Sequence, residues 1–290
     1  MREFVILTDS CCDLTAEMAQ ALELEVLPLS LLMDGASYRN CLDGRDIGFG
    51  EFYGKLRSGS TATTAAVSVG DFQAAMRAIL ESGRDVLSIS FSSALSATYQ
   101  SAAIAAEDLK AEFPQAKILV VDSLSASLGQ GLLLYLCVAQ KRAGRSIEEV
   151  WAFAQETRDH LCHWFTVDDL NFLKQGGRIS AATALFGTML SVKPVMHMDN
   201  GGHLVPVSKA RGRKAALLAL VDRMEATALD AAHGTVFISH GDCEGDALTV
   251  AEEIARRFGN RDVHINYVGP VIGNHSGPGT VALFFVGTVR

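Results

Sequence analysis

The sequence predicts a two-domain α/β protein, with an N-terminal α/β/α domain built on a parallel sheet over residues 1–160 and a C-terminal α+β domain over 161–290. Three observations lead there. Short apolar runs alternate with helical periods through the first half, the pattern of parallel strands joined by crossover helices. After residue 160 the runs become strand-like in closer succession, and "DNGG" between two of them is a hairpin turn signal. Finally, 290 residues with 49% hydrophobic and 20% charged side chains are enough for a substantial core, at a length where chains divide into two.

In chain order, "EFVILTD" reads as the first strand and "LEVLPLSLLM" as an extended segment broken by Pro28. "DVLSISF" and "KILVVDS" are further strands. A helix carries Phe72, Ala75, Met76, Ile79 and Leu80 on one face, and the next carries Tyr99, Ala103, Ala106, Leu109 and Phe113. In a parallel sheet, ligands bind beyond the carboxyl ends of the strands, so a site is expected at the loops after Leu7, Phe91 and Val121. "SIEEVWAFAQETRD" is another helix. Beyond it "LCHWFTV", "SVKPVMHM" and "HLVPVSK" are strands, the last two forming the hairpin. Two helices follow, marked by Leu217, Leu218, Val221 and Met224 and by Ala247, Ala251, Ile254 and Phe258; "TVFISH", "VHINYV" and "VALFFV" are the remaining strands.

The net charge of −8, without a basic run, argues against nucleic acid as a partner. "MREFVILTDS" enters a strand directly with no signal-peptide pattern, and no apolar run approaches the roughly 18 residues of a membrane span, so a cytoplasmic protein without an integral membrane segment is expected. The six cysteines, two of them the adjacent Cys11 and Cys12, do not form a disulfide framework and read as reduced thiols. "HLCH" at 160–163 has no second cluster at zinc-finger spacing; its residues read as strand residues, and no metal or cofactor is expected.

The polar loops carry the chemistry. In "STATTAAVSVGDF", Ser68 stands three residues before Asp71 and reads as a helix cap. "SFSSALSATYQ" gathers hydroxyls and free backbone N–H groups at a helix N-terminus, an arrangement that suits an anion; Ser93 and Ser96 are each either caps or ligands there. "VVDSLSASLGQG" contains Gly129-x-Gly131, but Leu134 stands where a dinucleotide fingerprint has its third glycine. No Walker lysine, G-x-S-x-G or H-E-x-x-H motif occurs. In "DDLNFLKQGGRIS", Arg178 follows a glycine pair, and its planar fork suits a carboxylate or phosphate. Near the C-terminus "VGPVIGNHSGPG" sets His275 among four glycines and two prolines, which predicts a tight, shaped loop.

Taken together, "TDSCCDLT", "SSALSATYQSA", "VVDSLSASLGQG", "DDLNFLKQGGRIS", "SVKPVM" with "SKARGRKA", and "GPVIGNHSGPG" resemble, in this order, the DegV family. These are the fatty-acid-binding proteins that serve as the acyl-carrying subunit of bacterial fatty acid kinase. The resemblance implies a DegV/EDD-like N-terminal domain, a C-terminal α+β domain and one fatty acid buried between them. It also implies carboxylate-binding residues at Thr64, at Ser96 or Ser93, at Arg178 and at His275. Two departures stand out. "TAAVS" replaces the family's Thr-Ser-Gln-Pro-Ser, and Ala97 replaces the glycine after Ser96, so a differently shaped head-group loop is expected.

On this resemblance the tail dominates affinity, since burying about 14 methylenes supplies on the order of 11 kcal/mol of gross driving force. The head site has the different task of pairing a carboxylate so that no charge is buried alone. The chain is then a binding subunit before an enzyme, a long-chain fatty acid its ligand, and a separate ATP-dependent kinase its partner. The rival from another class is a serine hydrolase with Ser93 or Ser96 as nucleophile, His275 as base and Asp9 or Asp122 as orienter, although the sequence holds no nucleophile elbow. A phosphotransferase acting on a small hydroxylated substrate would need a nucleotide site that the motifs do not provide.

Overall fold

The computed structural model describes residues 2–180 and 192–290. Its first half runs β1 (Phe4–Asp9), α1 (Ala16–Ala21), β2 (Glu25–Leu27), β3 (Ser30–Met33), β4 (Ala36–Arg39), α2 (Phe49–Arg57), β5 (Ala62–Ala65), α3 (Val69–Glu81), β6 (Asp85–Ser90), α4 (Thr98–Lys110), β7 (Ile118–Asp122), α5 (Leu128–Arg142) and α6 (Ile147–Arg158). The second runs β8 (Leu161–Thr166), α7 (Asn171–Gln175), β9 (Val192–Met198), β10 (Leu204–Arg211), α8 (Arg213–Thr227), β11 (Val236–His240), α9 (Glu244–Phe258), β12 (Val263–Tyr267), α10 (Pro270–Ser276) and β13 (Val281–Val286).

β1 and β6 are buried along their whole length, as strands covered on both faces must be. They form the centre of a parallel sheet of order β2-β1-β6-β7. Phe4 and Ile6 pack with Leu132, Leu133 and Val150 of α5 and α6, while Val5 and Leu7 pack with Phe72, Met76 and Leu109 of α3 and α4. One strand thus feeds two apolar layers by its period of two, giving the expected α/β/α sandwich.

The second half builds a six-stranded sheet of order β10-β9-β8-β13-β11-β12, antiparallel except for the β11–β12 pair. The β9–β10 hairpin closes across Asp199–Gly202 as the turn signal predicts, with Gly202 at positive φ and Asp199 Oδ1 accepting the Gly201 and His203 N–H groups. Ser191, the first residue of the expected strand "SVKPVMHM", lies outside the described residues. On the outer face Cys162, Trp164, Leu283 and Phe285 pack under α8 and α9. On the inner face Phe165, Phe237, Ala282 and Phe284 join Leu128 and Leu132 of α5, so α5 is the layer shared by both sheets.

Two expectations need correction. Pro28 does more than interrupt one extended segment: β2 joins the parallel sheet, whereas β3 becomes the middle of a separate antiparallel sheet, β4-β3-β5, packed on Phe52, Tyr53 and Leu56 of α2. On α4 the buried face is Thr98, Ala102, Ala105, Ala106 and Leu109. Ala106 and Leu109 of the expected stripe lie in it and Phe113 packs against it, while Tyr99 and Ala103 are half-buried because the small Ala102 and Ala105 take the place against the sheet. Among the described residues no helix is long and apolar enough to cross a membrane.

Candidate ligand-binding site

The glycine-rich segment ending at Gly279 is not the loop its composition predicts but a short helix bounded by turns. Gly269 is an extended N-cap, Pro270 occupies the first helical position with its φ already suited to it, and α10 ends where Gly277 takes a φ of 79°. α10 packs against α7, α2 and β5, and Asn274 Nδ2 donates to Ala62 O at 3.1 Å. Through these contacts His275, in the last turn, meets β5: its Nε2 lies 2.9 Å from Thr64 Oγ1.

Arg178 reaches the same place from the turn after α7. Its Nε and Nη2 donate to Leu95 O at 3.3 and 3.1 Å, and Nη1 donates to Gly176 O. These bonds use three of the five guanidinium N–H groups and tie the turn to the loop after β6. Burial lowers the Arg178 pKa. Burial, helped by the Arg178 charge, also lowers His275 to about 4, so its imidazole is neutral at pH 7. His275 Nδ1 is buried against Gly176 without a hydrogen-bond partner among the described residues.

Thr64, Ser96, Arg178 and His275 line one cavity of about 240 Å³. Its remaining wall is mainly apolar, with Phe91 and Leu95 from the parallel-sheet side and Phe165, Ala282 and Phe284 from the six-stranded sheet. A second cleft of about 440 Å³ is lined by Thr64, Arg178 and His275 together with Thr61, Phe172 and Asn274. Those three residues are therefore common to the mainly apolar cavity and to the second cleft.

Of the two candidate serines, Ser96 is on the cavity wall and Ser93 is not. The Ser93 N–H donates to Asp122 Oδ1 at 3.1 Å, and Ser96 Oγ lies 2.9 Å from Thr98 Oγ1. Ser68 caps α3, accepting from the Asp71 N–H at 3.1 Å. At the two departures from the family pattern, Ala65, Ala66 and Ala97 line the cavity wall and Val67 is buried in the core.

The hydrolase arrangement is not assembled. His275 Nε2 is engaged by Thr64 rather than by either serine. Asp122 accepts the Ser93 and Leu124 N–H groups, and Asp9 accepts those of Cys11 and Phe91. Both carboxylates hold turns at strand ends. In "HLCH", Cys162 belongs to the outer core and His163 faces inward, its Nδ1 2.9 Å from Leu161 O. Among the described residues no group of three or more His, Cys, Asp or Glu side chains is placed to hold a metal ion.

Sequence reasoning missed Ser127, Ser239 and Ser276 on the cavity wall. The inward alternation of β8 and β13, Phe165 with Ala282 and Phe284, was the available signal for the wall itself.

A family model described as "Uncharacterised protein, DegV family" matches residues 3–288. The chain belongs to the DegV family. It is 41% identical over 290 residues to a DegV domain-containing protein of Clostridium perfringens, covering 100% of this chain and 99% of that one. A Thermus thermophilus DegV family protein, whose structure is described as showing fatty acid binding, matches with a TM-score of 0.89 at 33% identity over 99% of this chain and 100% of its own. The Streptococcus pneumoniae fatty acid kinase B3 protein loaded with linoleic acid matches with a TM-score of 0.84 over 98% and 99% of the two chains; at 20% identity that likeness is one of fold.

Proposed function

We propose that this DegV protein encloses one long-chain fatty acid in the cavity and presents its carboxylate at Thr64, Ser96, Arg178 and His275 to an ATP-dependent kinase in the cytoplasm. One observation carries the reading: Thr64, Arg178 and His275 line both the apolar cavity and the second cleft. A tail inside thus leaves its head group where a second protein can reach it. The fatty acid bound by the Thermus relative supports the same occupant here.

The chemistry fits the residues present. The two guanidinium N–H groups of Arg178 left over by the protein and the hydroxyls of Thr64 and Ser96 are donors for a carboxylate. A carboxylate oxygen then attacks the γ-phosphorus of ATP held by the kinase; the bond to the ADP oxygen breaks, and acyl phosphate and ADP result. Positioning and neutralisation of charge are this chain's share. A neutral His275 suits that share: with Nε2–H donating to Thr64 Oγ1 it directs the Thr64 proton at the carboxylate and leaves Arg178 as the single positive charge there.

The test uses protein loaded with oleate and mixed with a fatty acid kinase and ATP, with acyl phosphate trapped by hydroxylamine. His275→Ala is expected to keep its lipid and to lose about tenfold or more of the phosphorylation rate. Loss of lipid in equal proportion would count against this role.

A further inference from the structure

One wall of the cavity carries hydroxyls that neither the head group nor a plain hydrocarbon tail uses. Ser239, fully buried on β11, faces inward beside its register partner Ala282 on β13. Ser127 Oγ lies 3.0 Å from Ser239 Oγ and donates to Asp13 Oδ2 at 2.6 Å. Ser127 Oγ is the donor in both contacts, so Ser239 accepts within the serine pair and its own proton is left for another partner. Ser127 stands at the N-cap of α5 yet caps nothing, and it adopts φ 55° and ψ −145°, a region that strains a residue with a Cβ. The chain thus forgoes a helix cap to keep this hydroxyl on the cavity wall.

Ser276 adds an independent observation. It ends α10, lines the same cavity, is 5% exposed, and its Oγ has no hydrogen-bond partner among the described residues. The Thr280 hydroxyl, bonded to Ser276 O at 3.0 Å, joins it to the strand that carries Ala282. A buried hydroxyl without a partner costs free energy unless something that enters the cavity pairs with it.

We propose that the cavity accepts an acyl chain bearing a hydroxyl group along its length, with Ser276 and Ser239 as the partners of that hydroxyl. This rests on the fatty-acid reading above. An unpaired hydroxyl entering an apolar tunnel gives up its water for nothing and is rejected, whereas a wall that pairs it removes the penalty.

The full-length protein, stripped of lipid, is titrated with stearic acid and with hydroxyoctadecanoic acids carrying the hydroxyl near the carboxylate, at mid-chain or near the methyl end. At least one isomer is expected to bind no more weakly than stearate. Ser276→Ala, which removes an unpaired group and is therefore expected to fold, should lower the hydroxystearate-to-stearate affinity ratio about fivefold or more, and adding Ser239→Ala should lower it further. Rejection of every isomer by about tenfold, or a ratio unchanged in both variants, overturns the inference while leaving the fatty-acid reading standing. Failure of the wild type to bind any of these acids overturns both.

Discussion

His275 stands where it does because position 176 has no side chain: a Cβ on Gly176 would collide with Nδ1 and lie 3.0 Å from Cγ. Gly176 has a φ of −71°, so alanine suits the backbone and only the ring must move. Gly176→Ala is expected to cost less than about 2 kcal/mol in a urea melt while breaking the Thr64–His275 contact and lowering fatty acid phosphorylation about tenfold. Wild-type phosphorylation in this variant would show that the His275 position does not matter. At this scale the sequence was informative where a residue's neighbours declare its purpose. Arg178 after two glycines and His275 among four marked themselves, and the structure brings both to the cavity with Thr64 and Ser96. Ser127, Ser239 and Ser276 stayed hidden because a serine's own sequence does not show whether its hydroxyl caps a helix, bonds a neighbour or faces a cavity.

Among the elements, α5 has the most demanding position, covering the parallel sheet with one side and the six-stranded sheet with another. Gly129 in its first turn allows the approach: a Cβ there would collide with His163 and lie 2.8 Å from Phe284 Cδ1. Both rings belong to the cavity wall, and relieving the collision requires them to leave their edge-to-face contact and move into the cavity. Gly129→Ala is therefore expected to destabilise the fold by about 1–3 kcal/mol despite alanine's better helix propensity, measured as a lowered thermal midpoint. A raised midpoint would mean that propensity outweighs packing. Long elements with a steady period were legible in the sequence, as β1, β6, α3 and α9 show. The four-residue strands β3, β4 and β5 were not recognised as a sheet, since so few residues establish no alternation. α10 was concealed by its glycines, whose helical state depends on the elements packed around it rather than on propensity.

Across the whole molecule, Asp13 links the two halves. Its carboxylate accepts from Ser127, which meets Ser239 on the six-stranded sheet, and its backbone carbonyl accepts from Asn266 Nδ2 at 2.8 Å. Burial foremost raises its pKa to about 7. The folded state therefore binds the Asp13 proton more tightly than the unfolded state does. That contribution to stability is complete below the unfolded pKa near 4 and is lost as pH rises through 7. His275, lowered to about 4, acts in the opposite sense between pH 4 and 6.5 and is common to wild type and variant. Asp13→Asn should thus gain stability relative to wild type between pH 5 and 8, read from urea unfolding at both pH values; parallel profiles would contradict it. The larger claim is that the space between the halves holds a lipid, and the most direct measurement is mass spectrometry of small molecules released from the purified, denatured protein. Long-chain fatty acid at about one per chain is the expected result. A protein that is empty as purified and takes up no added fatty acid would contradict it.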